Sequence, residues 1–357
     1  MNKLLLALLL FLLSFSWIKV TASDSCPAAF PWKAQWINTE RCQSATNTWL
    51  IYRKSFAVTD VPNQLIARIA ADSKYWLWIN DQLVIFEGGL KRGPSPSGTY
   101  YDPVDISPYL TKGSNTIAIL LWHFGKDGFS HINSGKAALL FEAIAPGLEI
   151  VSDASWQCAL YEAYQNTEAP FPNYRMPESN IRFDARQAIT NWNRTSFEGS
   201  LPGAVCVGKA GKAPFGDLVE RPIPQWKNSG LLSYVSVRES LKGDTLFCRL
   251  PYNAQITPYL KVEAEAGKTI HIRMDNYEGG SERNVRAEYI TREGEQEYES
   301  YGWMNGHEVY YIIPEGVKVL DVKYRETGYN TDLAGSFHCD DPFYDELWQR
   351  SARTLYI

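Results

Sequence analysis

Three groups of closely spaced acidic residues could supply paired carboxyl groups: Asp102 with Asp105, Glu278 with Glu282, and Glu293 with Glu295 and Glu297. Two carboxyls flanking a scissile acetal are what glycoside hydrolysis requires. They stand roughly 6.5–9.5 Å apart for inversion and about 5–5.5 Å apart for retention. Each group also has an ordinary structural role, and that role is the stronger reading for all three. Asp102 and Asp105 bracket a turn-like Tyr-Asp-Pro, where Asp commonly accepts from backbone N–H groups. The run from 293 to 299 is polar and reads as solvated. Nucleophilic hydrolase signatures are missing from the sequence. It has no G-x-S-x-G elbow, and its five His lie in no motif that would pair them with Ser or Cys. Lys112-Gly113-Ser114 lacks the glycines of a phosphate loop, and residues 302–306 read as a plain loop.

Sugar contact is the better functional expectation. Trp122-His123-Phe124-Gly125-Lys126-Asp127-Gly128-Phe129 follows an apolar run and sets rings beside polar donors. Lys91-Arg92-Gly93-Pro94 follows another run and could face the same rim. Neutral saccharides are held by ring stacking with directed hydrogen bonds. The candidate carbohydrate contacts are therefore Trp122, His123, Lys126 and Arg92. The competing expectation is that Trp122 and Phe124 pack a core or an interface.

The elements that must position these groups read as strands. Aromatic residues make up 13% of the chain, with 12 Trp and 21 Tyr, which suits pleated, half-buried surfaces. Short apolar or alternating runs broken by Gly, Pro, Asn and Asp recur at 50–58, 65–70, 75–79, 83–86, 117–122 and 139–144. Asn80-Asp81 supplies a two-residue hairpin turn, and the unbroken run 117–122 suits a strand buried on both faces. Such spacing argues for a β-sandwich. From 152 to 226 the pattern weakens among seven prolines, as a tail and connector would. A second β block follows, clearest at 259–264, 269–274, 309–313 and 317–324. Ile270, Ile272 and Met274 alternate there with His271 and Arg273, marking one inward face. Expected boundaries are 31–226 for the first sandwich with its connector, 230–335 for the second, and 340–357 for a helix.

That helix is announced by Asp341-Pro342, a capping Asp with Pro at the first helical position. Phe343, Leu347, Ser351 and Leu355 form one i, i+4 row; Tyr344, Trp348, Ala352 and Tyr356 form the next. Nothing in the sequence supplies a helical mate for this stripe, which suits a helix opening a further α-domain.

Residues 1–22 read as an export signal: Lys3, an apolar core at 4–15, and the cleavage pattern Val20-Thr21-Ala22. The stretch is too short for a comfortable membrane span. Lipidation at Cys26 is the rival, poorly served by Ser23-Asp24-Ser25. The expected location is periplasmic or extracellular. About 335 residues then remain, two domains' worth. The net charge of -5 shows no basic groove for nucleic acid. Six Cys permit disulfides in such a compartment, and Cys26 with Cys42 could close a small loop, but six allow 15 pairings. No C-x-x-C or Cys/His spacing suggests zinc. No cofactor is expected; a structural Ca²⁺ would suit a jelly roll, and the sequence does not place one.

Three stretches resemble the non-catalytic domains of bacterial α-L-rhamnosidases of glycoside hydrolase family seventy-eight. Ala71-Asp72-Ser73-Lys74-Tyr75-Trp76-Leu77-Trp78-Ile79-Asn80-Asp81, then Tyr101-Asp102-Pro103-Val104-Asp105-Ile106, then Leu110-Thr111-Lys112-Gly113-Ser114-Asn115-Thr116-Ile117-Ala118 are similar to that family's jelly-roll domain. Ser152-Asp153-Ala154-Ser155-Trp156, with Pro177-Glu178 and Phe183-Asp184-Ala185-Arg186, resembles the signature closing it. Gly335-Ser336-Phe337-His338-Cys339-Asp340-Asp341-Pro342-Phe343 looks like the junction to the family's (α/α)₆ barrel.

The resemblance implies a mainly β fold: a galactose-binding-like jelly roll, then a concanavalin-like sandwich, then the first helix of a missing (α/α)₆ barrel. It implies that the parent protein is an inverting enzyme acting on a rhamnose-containing glycan. The catalytic carboxylates would belong to the missing C-terminal domain, with no catalytic residue in this chain. The rival functions are a carbohydrate-binding or adhesion module, and a different barrel enzyme with the same kind of β front end.

Overall fold

The computed structural model describes residues 31–90, 98–128, 131–167, 169, 181–278 and 285–356. The expected export segment at 1–22, Cys26, Arg92, Pro177, Glu178 and Glu282 lie outside them.

Strand Gly113–His123 is buried at every position from Asn115 onward. Consecutive strand side chains point to opposite faces, so both faces must be covered, and two different cores cover them. Ile117, Ile119 and Leu121 join Leu50, Tyr52, Tyr75 and Leu77 in one apolar cluster. Ala118, Leu120 and Trp122 join Trp49, Ile51, Trp76 and Trp78 in the other. The neighbours Thr48–Val58 and Lys74–Ile79, paired antiparallel to it, divide in the same way. They form the centre of a five-stranded sheet, flanked by Gln157–Leu160 and Gln82–Gly89.

The first cluster is closed by a seven-stranded sheet around Gln35–Asn38, Ala138–Ala145, Ile66–Asp72 and Thr99–Asp105. This pair of sheets is the first sandwich. The second cluster runs without a break from the other face of the five-stranded sheet into a ten-stranded sheet. At the centre of that sheet lies the 20-residue strand Thr245–Ala264. Its first half pairs with Ser236–Glu239 and Met304–Ile312. Its second half pairs with Gly294–Glu299 and Val317–Gly328. Exchanging partners along one bent strand lets a single hydrogen-bonded sheet turn a corner over its own core.

The stretch from 152 to 226 is more than a passive connector. Gln157–Leu160 enters the five-stranded sheet, Tyr164–Asn166 and Ile181–Asp184 enter the ten-stranded sheet, and Val205–Lys209 and Leu218–Glu220 return to the edges of the seven-stranded sheet. The chain thus stitches all three sheets together.

Local chemistry follows the sequence closely. Ile79 pairs with Gln82 across Asn80 and Asp81, whose φ values of 47° and 70° make the expected hairpin turn. Asn80 also locks the neighbouring turn, donating from Nδ2 to the Tyr109 carbonyl and accepting from Thr116 N–H. Ile270, Ile272 and Met274 face inward as expected. The five described cysteines are free thiols. The molecule is mainly β with one α-helix among the described residues, Pro342–Tyr356.

Candidate functional site

The expected sugar-contact residues do not form an open platform. Trp122 is 3% exposed; its ring stacks on Trp49 at 4.6 Å, and its Nε1–H donates to Asn47 Oδ1 at 2.8 Å. A pyranose needs a free ring face, and this ring has none. His123 is completely buried, its Nδ1 lying 3.1 Å from the Asp72 carbonyl oxygen. The sequence misleads here because the strand continues through His123 with both faces covered. Core packing, the competing expectation for Trp122 and Phe124, is what these rings do. Lys126 is half-buried on the following loop. Arg92 lies outside the described residues, so only Trp122, His123 and Lys126 can be placed.

Around His123 stands a group with the right atom types for nucleophilic catalysis. Ser73 Oγ is 3.2 Å from His131 Nε2, and Asp72 Oδ1 is 3.7 Å from the same nitrogen. In a working triad the carboxylate holds the opposite ring nitrogen; here both partners crowd one. Ser73 Oγ is also occupied, donating to Asp72 Oδ1 and accepting from Phe124 N–H. Asp72, Ser73, His123 and His131 are all fully buried, so no substrate reaches them. The group is a structural knot that ties the 124–137 loop through Ser134 N–H to Asp72 Oδ2 at 2.6 Å. Burial pushes the Asp72 carboxyl up, but hydrogen bonds from His123 and Ser134 more than offset it and hold it below the usual carboxylate range.

Asp102, Asp105 and the glutamates of the run 293–299 are likewise structural. Asp102 is fully buried, accepting from Arg221 Nε at 2.5 Å, Tyr75 Oη at 2.8 Å and Gly89 N–H at 2.9 Å. Gly88 makes this possible, because a Cβ there would lie 2.3 Å from the Tyr75 ring. Asp105 accepts from Leu65 N–H, Ser107 N–H and Ser107 Oγ, the backbone-holding role expected for a turn Asp. The run 293–299 contains strand Gly294–Glu299. Its exposed Glu295 pairs with Lys261 at 2.6 Å, and Glu297 accepts from Tyr259 Oη at 2.7 Å.

A clamp between the sandwiches escaped the sequence reading. Lys74 and Glu87, on adjacent strands of the first sandwich, form an ion pair at 2.5 Å with side chains 6% and 3% exposed. Trp303, in the stretch read as a plain loop, donates Nε1–H to Glu87 Oε2 at 2.6 Å. Its ring lies 3.6 Å beneath the Lys74 ammonium. Burial pushes the Lys74 ammonium down and the Glu87 carboxyl up, with each partner opposing the other's shift. Nearby, Arg325 forks onto Glu299 at 2.8 and 3.0 Å and lies 4.6 Å over Phe86. No local pattern announces these partners, since Glu87 and Trp303 are 216 positions apart.

The C-terminal helix is the most exposed apolar element among the described residues. Asp341 caps it as expected, accepting Phe343 N–H at 3.0 Å. Its last turn is clamped to strand Val317–Gly328. Arg353 pairs with Glu326 at 2.6 Å and stacks 3.3 Å over Tyr252, and Tyr329 N–H donates to the Tyr356 carbonyl. The apolar stripe faces solvent: Phe343, Tyr344, Leu347, Trp348 and Leu355 are 37–74% exposed, and no helical residue is buried. A contiguous apolar face of this kind marks an interaction surface. No helix among the described residues is long and apolar enough to cross a membrane.

No family model matches this sequence, and no curated protein does. Among solved structures, the chain is similar to the glycoside hydrolase family 78 rhamnosidase of Bacillus sp. GL1. The TM-score is 0.77 at 17% identity, covering 91% of this chain and 58% of that one. The α-L-rhamnosidase of Dictyoglumus thermophilum matches with TM-score 0.66 and 21% identity over 89% and 38% of the two chains. That of Aspergillus terreus matches with TM-score 0.67 and 18% identity over 88% and 38%. The chain therefore has the fold of the N-terminal β domains of α-L-rhamnosidases and spans roughly two-fifths to three-fifths of their length.

Proposed function

We propose that this chain is the non-catalytic β portion of an exported α-L-rhamnosidase, which removes terminal α-L-rhamnosyl groups from a glycan. The observation that carries this reading is the exposed aromatic stripe of Pro342–Tyr356, clamped at one end to a two-sandwich body of rhamnosidase fold. A docked helix with a bare apolar side is what the opening element of an α-domain requires. The inverting carboxylate pair then belongs to that α-domain. The β portion orients it and shapes the rim of its site. Export is supported by the leader-like residues 1–22.

The test uses an aryl α-L-rhamnoside. The chain alone should release no aryl alcohol, and the gene product continued beyond Ile357 should release it with inversion. Turnover by residues 1–357 alone would place the catalytic groups here and refute the reading; so would an inactive, folded longer product.

A further inference from the structure

Beside the Lys74–Glu87 ion pair, three segments far apart in sequence enclose a pocket of about 100 Å³: Glu87 to Leu90, Arg221 with 223–226, and Tyr329-Asn330. Its mouth lies among Ile223, Tyr329 and Asn330, all exposed. One wall is strained. Glu87 and Leu90 have φ values of 67° and 69°, in the left-handed region that bulky side chains rarely adopt. The surrounding bonds impose it. Leu90 N–H donates to the Ser73 carbonyl at 2.6 Å, and Gly89 N–H to Asp102 Oδ2 at 2.9 Å. Arg221 ties the same wall down, donating from Nε to Asp102 Oδ1 and from Nη2 to the Gly89 carbonyl. Strain held in place in this way clusters at ligand clamps.

The lining carries polar groups that folding does not use. Among the described residues, the side chains of Gln225, Trp226, Tyr329 and Asn330 make no hydrogen bond, and Arg221 Nη1 has no partner. The charges, by contrast, are balanced within the protein. Asp102 meets Arg221 at 2.5 Å and Lys74 meets Glu87 at 2.5 Å, so the pocket suits an uncharged ligand. Trp226 is half-buried. Its ring neighbour among the described residues, Trp303, meets it at 5.6 Å and 79°, edge to face. No ring lies parallel on it there, unlike Trp122 under Trp49. Leu90, Ile223 and Pro224 supply the apolar remainder of the wall.

We propose that this pocket seats one neutral pyranose unit of a glycan, an apolar ring face against Trp226 and hydroxyls toward Arg221, Gln225 and Asn330. Aromatic rings beside a few directed donors and acceptors are the combination that holds uncharged sugars. At about 100 Å³ the pocket takes one end of a single ring and leaves the other end in water, as a unit within a longer glycan requires. The choice of a sugar rests on the rhamnosidase reading; the choice of a neutral ring rests on the pocket alone.

The experiment is calorimetric titration of the full chain with methyl α-L-rhamnoside, methyl β-D-glucoside, sorbitol and galacturonate. At least one of the two methyl pyranosides should bind saturably. Sorbitol, which has hydroxyls but no ring face, should not. W226A should weaken the binding at least tenfold. N330A removes a side chain that bonds to nothing in the fold, so it keeps the test open if W226A fails to fold; it should weaken binding at least twofold. In the unmodified chain, the bound sugar should slow amide exchange across 87–90 and 221–226. Absence of binding by both pyranosides, undiminished binding by either folded variant, or unchanged exchange in both segments would overturn the proposal. Equal binding of sorbitol or galacturonate would overturn its neutral-ring assignment. Binding is read without turnover, so a negative result here leaves the rhamnosidase reading standing.

Discussion

Replacing Lys74 with Met isolates the clamp between the sandwiches. Methionine keeps most of the apolar stem and removes the ammonium, which lies 3.6 Å over the Trp303 ring. Glu87, 3% exposed, then keeps the Trp303 N–H but loses its ion-pair partner. Breaking a buried pair in this way typically costs 3–5 kcal/mol. An upper bound follows independently, because the stranded carboxyl can take up a proton instead. With an ordinary Glu pKa of about 4.3 and about 1.36 kcal/mol per pH unit, neutralising it at pH 7 costs at most about 3.7 kcal/mol. The same bound is about 1 kcal/mol at pH 5.

The sign follows from the folded carboxyl being raised by burial above its unfolded value. The folded variant then binds the extra proton, so its stability falls as pH rises above about 4.3. Urea unfolding of both proteins, followed by far-UV circular dichroism at pH 5, 6, 7 and 8, should show a gap that widens with pH and levels off near 3–4 kcal/mol. A gap that stays constant over this range would refute the reasoning. So would one below about 1 kcal/mol at pH 7.

Asp102→Asn should cost about 3–5 kcal/mol in the same assay, because it strands the Arg221 charge and the Tyr75 hydroxyl; a loss under about 1 kcal/mol would show the pair to be expendable. Asp72 is held below the usual carboxylate range, so its contribution is present above pH ~4 and is lost as pH falls further. Asp72→Asn should therefore flatten the acid limb of the stability profile; an unchanged limb would contradict the assignment. Leu347→Glu with Leu355→Glu should leave the melting temperature of the sandwiches within about 1 °C, since surface substitutions that touch nothing cost little. The same pair should reduce hydrophobic dye binding; a large thermal loss would mean the stripe is already covered.

What was legible in the sequence was local. The Asn80-Asp81 turn, the inward alternation of Ile270, Ile272 and Met274, and the Asp341 cap all depend on neighbours within a few positions. Backbone geometry and side-chain period determine them directly, and the motif order through Asn115 and Asp184 carried the fold. What only the tertiary structure decided was which of two covered faces a residue met. Trp122 follows a strand with a ring and donors beside it, as a binding residue would. It is buried because a second sandwich covers that face of the sheet. Trp303 reads as part of a loop, and the ion pair it completes lies more than two hundred positions away. Arg273 likewise stands opposite Arg286 only once two strands are in register. A sequence states periodicity along one chain, whereas burial and charge pairing depend on what another part of the chain brings to the opposite side.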